Sequence, residues 1–330
     1  MKTPILSVRD LVVEFPTRRG TLRALDHVSF DIAEGEVLGM VGESGAGKSL
    51  TGAAIIGLLE PPGRVTSGEI WLRGERIDNL PHEKMRRIRG RRIGMVFQDP
   101  LTSLNPLYTV AEQLIETIRT HMDISEKVAR AQAVALLDRV GIPAAARRID
   151  DYPHHFSGGM RQRVVIALAL AAEPELVIAD EPTTALDVSV QAQIIDVLKE
   201  ICAERGASVM LITHDMGVIA ETADRVAVLY AGRLAEIGSV RDVIQAAEHP
   251  YTAGLMGSIP TLTQTAARLT QIPGSMPRLN AIPQGCAFNP RCPKVFEKCY
   301  VEQPNLIARP DGRQVSCWLY DAQVKEVSHG

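Results

Sequence analysis

The chain has 330 residues, 45% hydrophobic and 23% charged, the balance of a globular protein with core enough for about two domains. Thirty-six Lys and Arg against 39 Asp and Glu leave a net charge of −3, which supplies no electrostatic basis for nucleic-acid binding. No stretch approaches ~18 consecutive apolar residues, and Met1-Lys2-Thr3-Pro4 lacks the apolar core of a secretory signal, so the expectation is a cytoplasmic protein without a membrane span.

In chain order, residues 5–35 and about 65–75 read as short strands. Glu36–Val41 is an apolar run suited to a buried strand, and Gly47–Gly57 reads as the start of a helix. Between them runs Gly42-Glu43-Ser44-Gly45-Ala46-Gly47-Lys48-Ser49. The glycines at 42, 45 and 47 let the backbone turn tightly and aim its amides at an anion. The helix N-terminus adds partial positive charge. Lys48 is then suited to the β- and γ-phosphates of a nucleotide, and the Ser49 hydroxyl to magnesium. The competing reading is a chance Gly-rich turn; a match over the whole loop in a strand–loop–helix context weighs against it.

Further along, Lys84–Arg92 carries six basic residues in nine and is expected as a solvated face. Residues 106–155 are rich in helical pattern. There Val128, Ala131, Ala135, Leu136 and Val140 recur at helical spacing, with Ser125 as N-cap and Gly141 as stop. Leu176–Ala179 is a buried-strand run ending in Asp180-Glu181-Pro182, and ligand sites of open parallel sheets sit at such strand ends. Asp180 suits magnesium coordination, and Glu181 suits polarising the water that attacks a γ-phosphate. Val190, Ile194, Val197, Leu198 and Ile201 form a core-facing stripe that ends near Gly206.

Beyond about residue 240 prolines cluster, which predicts loops and short elements. Four of the five cysteines lie there, Cys286, Cys292, Cys299 and Cys317, spaced Cys-x5-Cys-x6-Cys-x17-Cys, while Cys202 is expected in the core. Stable disulfides are disfavoured in the cytoplasm. The four thiols could hold zinc, although the paired Cys-x2-Cys spacing is absent, or an iron–sulfur cluster, or no metal.

Phe156-Ser157-Gly158-Gly159-Met160 resembles the signature loop of ATP-binding cassette (ABC) proteins, and from about residue 5 to 240 the chain resembles an ABC ATPase subunit. The resemblance implies roles for further residues. Phe15 lies where the family has an aromatic that stacks on adenine, with a core phenylalanine as the alternative. Gln98, in Val96-Phe97-Gln98-Asp99-Pro100, matches the Q-loop that touches magnesium. Thr184-Ala185-Leu186-Asp187 matches the D-loop at a dimer seam. His214, after the apolar run Ser208–Thr213, matches the switch histidine that contacts the γ-phosphate. Ser157 and Gly159 would meet the γ-phosphate held by a partner subunit, so ATP with magnesium is expected in a sandwich of two subunits. Phe156 replaces the usual Leu and Met160 the usual Gln, which removes any contact made by that Gln.

His249-Pro250-Tyr251-Thr252 and Gly285-Cys286-Ala287-Phe288-Asn289-Pro290-Arg291-Cys292-Pro293 resemble the C-terminal extension of oligopeptide/dipeptide-type ABC importer ATPases. Some of these carry a 4Fe–4S cluster at the cysteines, which places that cluster ahead of zinc. The implied fold is an α/β P-loop NTPase, with a parallel-sheet core, an antiparallel β subdomain and a helical subdomain at about 100–160, over residues 1–240. A loop-rich, Cys-containing domain follows over 241–330. The implied partners are a second ABC ATPase subunit (hetero- or homodimer), two transmembrane permease subunits and an extracytoplasmic solute-binding protein. Such a subunit sits peripherally on the cytoplasmic face of the inner membrane. The implied solutes are di- and oligopeptides, with nickel chelates, glutathione or opine-like solutes as alternatives.

A rival of another class is a soluble ABC ATPase acting on DNA or ribosomes, with the cysteines as a zinc module. The single cassette without a coiled-coil insertion argues against it. A non-hydrolytic regulatory subunit is opposed by intact Lys48, Asp180, Glu181 and His214.

Overall fold

The computed structural model describes residues 4–183, 188–257 and 272–321. The chain divides into two compact units, one built mainly from Leu72–Ile212, the other from Ser7–Asp31, Leu38–Trp71 and the segment after Thr213. Both are α/β in character.

In the first unit three parallel strands lie side by side, with Leu176–Asp180 between Ile93–Val96 and Ser208–Ile212. Every residue of Leu176–Asp180 and of Ser208–Ile212 is buried, the pattern of strands covered on both faces. Helices Val110–His121, Glu126–Arg139, Gly158–Leu170 and Val188–Arg205 belong to the same unit. Their starts follow local chemistry. Thr109 and Glu112 form a reciprocal capping box on Val110–His121, and Ser125 Oγ accepts from the Val128 N–H, the cap expected from sequence. Gly141 takes φ +80 just past Glu126–Arg139, where a side chain would be strained, and so ends that helix.

The face of Glu126–Arg139 differs from expectation. Ala129, Ala133, Leu136, Leu137 and Val140 are buried, while Val128 is 45% exposed and Ala131 and Ala135 face solvent. The observed offsets follow an i, i+4, i+7, i+8, i+11 stripe, closer to the helical period than the predicted set. In an alanine-rich helix either face passes as apolar, and packing selects one. The stripe on Val188–Arg205 holds at Ile194, Leu198 and Ile201, with Cys202 buried beside them as expected. The basic run is only partly solvated: Arg92 Nε donates to Glu175 Oε1 at 2.9 Å, and Arg91 Nη1 to the Ala172 carbonyl at 2.6 Å.

In the second unit Val37–Val41 pairs in parallel with Arg225–Tyr230, which pairs antiparallel with Arg233–Ser239. The C-terminal segment continues this sheet, since Glu236 and Ile237 pair with Val315 and Gln314 of a short strand that also pairs with Ile307–Ala308. A separate sheet carries Gly20–Ala33, Pro4–Thr17 and Arg64–Leu72 in that order. No helix among the described residues is long and apolar enough to cross a membrane.

Candidate nucleotide site

The phosphate-loop expectation falls in the second unit. Strand Val37–Val41 runs into the loop and helix Lys48–Ile55 leaves it, each slightly shorter than the sequence pattern suggests. Gly42 sits at φ +151, and a β-carbon there would lie 2.4 Å from the Leu229 carbonyl oxygen. Gly47 is the helix N-cap at φ +107, and a β-carbon would lie 2.7 Å from Leu25 Cδ2. Both positions therefore require glycine on conformational and steric grounds. No side chain caps the helix, which suits an anion at its first turn. Lys48 is buried and curls back over the loop, its Nζ donating to the carbonyls of Gly42 at 2.8 Å and Glu43 at 3.2 Å.

His214 and Phe15 share this unit. The Thr213 N–H donates to the Met40 carbonyl at 3.2 Å, which ties the strand end before His214 to the strand before the phosphate loop. His214 itself is exposed, and the next residue, Asp215, caps helix Met216–Thr222 through the Gly217 N–H at 2.8 Å. Phe15 is half-buried on its strand with its ring against Gly63, where a β-carbon would lie 2.6 Å from Cε1.

The acidic residues fall in the first unit. Asp180 closes strand Leu176–Asp180 and is buried. Glu181 departs from strand geometry at φ +44, a left-handed conformation costly for a residue with a β-carbon. Its N–H donates to the Ile212 carbonyl at 2.9 Å, which holds the turn. Gln98, just past strand Ile93–Val96, reaches it: Gln98 Nε2 donates to Glu181 Oε2 at 2.9 Å. Three predicted residues, Gln98, Asp180 and Glu181, thus converge at the ends of neighbouring parallel strands.

Ser157 and Gly159 lie elsewhere in this unit, at the start of helix Gly158–Leu170, where Ser157 Oγ accepts from the Met160 N–H at 3.4 Å. The two departures from the common signature share a partner that sequence reasoning missed. The Arg148 guanidinium lies 5.4 Å from the centroid of the buried Phe156 ring, and its Nη1 donates to Met160 Sδ at 3.1 Å. Arginine over an aromatic ring is a favourable pairing. No local pattern signals it, because Arg148 belongs to a different helix. Thr184–Asp187, and with it Asp187, lies outside the described residues.

The cysteine expectation is not supported. Cys286, Cys292, Cys299 and Cys317 are free thiols of the second unit, and the Cys286 N–H donates to the Cys299 carbonyl at 2.8 Å. Burial pushes the Cys286 thiol up to about 11 and that of Cys317 up to about 12, with neighbouring cysteines adding to each shift. These thiols are proximate, yet among the described residues no three His, Cys, Asp or Glu are grouped to hold a metal ion.

Comparison with known proteins places these features in context. The family described as ABC transporter matches residues 25–184, and the one described as oligopeptide/dipeptide transporter, C-terminal region, matches residues 235–299. The chain is 49% identical to the dipeptide transport ATP-binding protein DppD of Bacillus subtilis, over 97% of this chain and 96% of that protein. It is 44% identical to the oligopeptide transport ATP-binding protein AppD of the same organism, over 98% of this chain and 99% of that protein. Among solved structures, it is similar to the dimeric post-hydrolysis state of the ATP-binding cassette MJ0796 bound to ADP and Pi. That match has a TM-score of 0.65 and 29% identity, covering 72% of this chain and 99% of the other.

Proposed function

The chain belongs to the family of ATP-binding subunits of dipeptide and oligopeptide ABC transporters, and on that premise we propose that it hydrolyses ATP to power import of di- or oligopeptides. The observation that carries this is the loop Gly42–Ser49, a tight glycine turn with a buried lysine over it at an uncapped helix start. In this reading residues 1–240 are the ATPase domain and 241–330 an extension of it.

Each proposed role rests on side-chain chemistry. The loop amides and Lys48 take the β- and γ-phosphates, with Gly42, Ser44, Gly45 and Gly47 shaping the turn. Phe15 offers its ring to adenine. Ser49, Gln98 and Asp180 present oxygen donors, the hard set that magnesium takes, and the ion supplies charge neutralisation at the phosphates. Glu181, its carboxylate oriented by the Gln98 amide, accepts from the attacking water. His214 donates to the γ-phosphate. Ser157, Gly159 and Asp187 act at the seam with a second ATPase subunit.

The partners in this reading are that second subunit, of the same or a related sequence, two transmembrane permeases and an extracytoplasmic solute-binding protein. The chain would sit on the cytoplasmic face of the membrane. Because the solute arrives on another protein, nothing in this chain need touch it. A 4Fe–4S cluster at the four cysteines rests on resemblance alone. Iron and acid-labile sulfide in anaerobically purified protein would establish it, and their absence would end it.

The experiment is uptake of labelled di- and oligopeptides in cells carrying wild-type or Glu181→Gln protein. Loss of uptake in the variant supports the reading. Unchanged uptake moves the solute to nickel chelates, glutathione or opine-like compounds.

A further inference from the structure

We infer that Arg291, assisted by Tyr251, is a positioning residue for the phosphate-binding loop, so that the C-terminal segment sets the affinity of the chain for nucleotide. This rests on the ATP reading above and deepens it. Neither residue belongs to any motif of the nucleotide site.

Glu43 is the junction. Its N–H donates to Tyr251 Oη at 2.8 Å. Its carboxylate takes both terminal nitrogens of Arg291, Nη1 at 2.8 Å and Nη2 at 2.9 Å, across 248 positions of sequence. Its carbonyl oxygen accepts from Lys48 Nζ at 3.2 Å. One residue of the loop is thus held at its amide, its side chain and its carbonyl, and the last of these is shared with the lysine that would bind phosphate.

The arginine is itself fixed, which makes it an anchor and not a follower. Arg291 is 9% exposed, its Nε donates to the Pro273 carbonyl at 2.8 Å, and its guanidinium lies 5.8 Å from the Tyr230 ring centroid and 5.9 Å from that of Phe288. Tyr230, Tyr251 and Phe288 pack on one another with centroids 4.6 to 5.4 Å apart. A two-pronged guanidinium–carboxylate pair, here with the arginine buried and the carboxylate half-buried, fixes both distance and orientation, which a single contact does not. Without it the Glu43 peptide gains rotational freedom. Bound nucleotide would then have to order the loop and Lys48 itself, and affinity falls by that entropy.

The test is the dissociation constant of fluorescent N-methylanthraniloyl-ATP with magnesium on the full chain. The proteins are wild type, Arg291→Met, Arg291→Lys, Glu43→Gln and the Arg291→Met/Glu43→Gln double variant. Each of Arg291→Met and Glu43→Gln is expected to weaken binding roughly tenfold, and the double variant no more than either, because they remove the same contact. Arg291→Lys should recover part of the loss, since lysine keeps the charge but not the fork. A tether with no role at the loop would lower the melting temperature without nucleotide and leave the dissociation constant unchanged; that result overturns the inference. Additive losses in the double variant also overturn it. If Arg291→Met does not fold, Tyr251→Phe decides: weakened binding supports the inference and unchanged binding rejects it. Wild-type protein that binds no better than Lys48→Ala would reject the ATP reading, and this inference with it.

Discussion

Gln98 Nε2 donates to Glu181 Oε2 at 2.9 Å, so two residues 83 positions apart, each assigned separately from sequence, meet at the ends of adjacent parallel strands. The contact gives the glutamate a defined orientation, and the backbone at Glu181 reinforces it. A non-glycine residue at φ +44 is held against a cost on the order of 1–3 kcal/mol. Strain retained at a proposed catalytic carboxylate, with its N–H fastened to Ile212, is consistent with a group whose position matters more than its comfort.

Glu181→Gln should therefore bind nucleotide as wild type does and lose turnover by on the order of 10²-fold or more, since the amide cannot take the proton of the attacking water. Fluorescent-nucleotide titration and phosphate release, run on the assembled transporter, measure the two quantities. Retained turnover would remove Glu181 from the mechanism.

Gln98→Ala takes away the donor that orients that carboxylate. Turnover should fall by about tenfold, the scale of one lost hydrogen bond to a charged group. The comparison that decides is Gln98→Ala/Glu181→Gln against Glu181→Gln alone. Once the carboxylate is gone, losing the glutamine should cost little more; an independent loss would show that Gln98 acts elsewhere.

Ser157→Ala tests the signature loop at two levels. Removing the N-cap of helix Gly158–Leu170 should lower stability by about 1 kcal/mol, read by urea denaturation. Separately, ATP-driven dimer formation by size-exclusion chromatography should be lost, while nucleotide binding by the single subunit persists. Dimers that form normally would leave the serine as a helix cap and nothing more.

His249 predicts a pH dependence. It is buried, burial holds its pKa down at about 4, and its Nδ1 accepts from the Tyr251 N–H at 3.0 Å, which a ring protonated there cannot do. A folded-state value below the ordinary 6.5 means the unfolded chain binds the extra proton. The stabilising contribution is complete above about pH 6.5 and is lost as pH falls toward about 4, by up to roughly 1.4 kcal/mol per pH unit. The neighbouring Glu236, buried and accepting from the His249 N–H, is shifted up by burial and contributes with the opposite slope. His249→Asn keeps an acceptor for Tyr251 and leaves Glu236 in place. Its melting temperature should fall less than that of wild type between about pH 7 and about pH 5; parallel curves would show His249 to be silent.

The features legible in the sequence are local ones. A strand, a glycine loop and a helix start are adjacent in the chain, and their conformations follow from φ preferences and hydrogen bonds a few residues long. Gly42, Gly47, the Ser125 cap and the Gly141 stop are therefore visible in the sequence and recur in the fold. Where the pattern offers equivalent choices, it misleads. The apolar face expected on Glu126–Arg139 is displaced from the buried one because alanine carries little signal, and among the described residues the metal group suggested by the cysteines is not supported.

The fold class and the candidate residues of a nucleotide site are readable along the chain, because they rest on short-range backbone chemistry and ordered motifs. What holds these residues in place comes from packing between distant segments: Gln98 on Glu181, Arg148 between Phe156 and Met160, and Arg291 on Glu43. Each pairs groups on separate elements, and the last spans 248 positions. No periodicity encodes such pairs; they exist where the packed chain brings two groups distant in sequence within reach of one another.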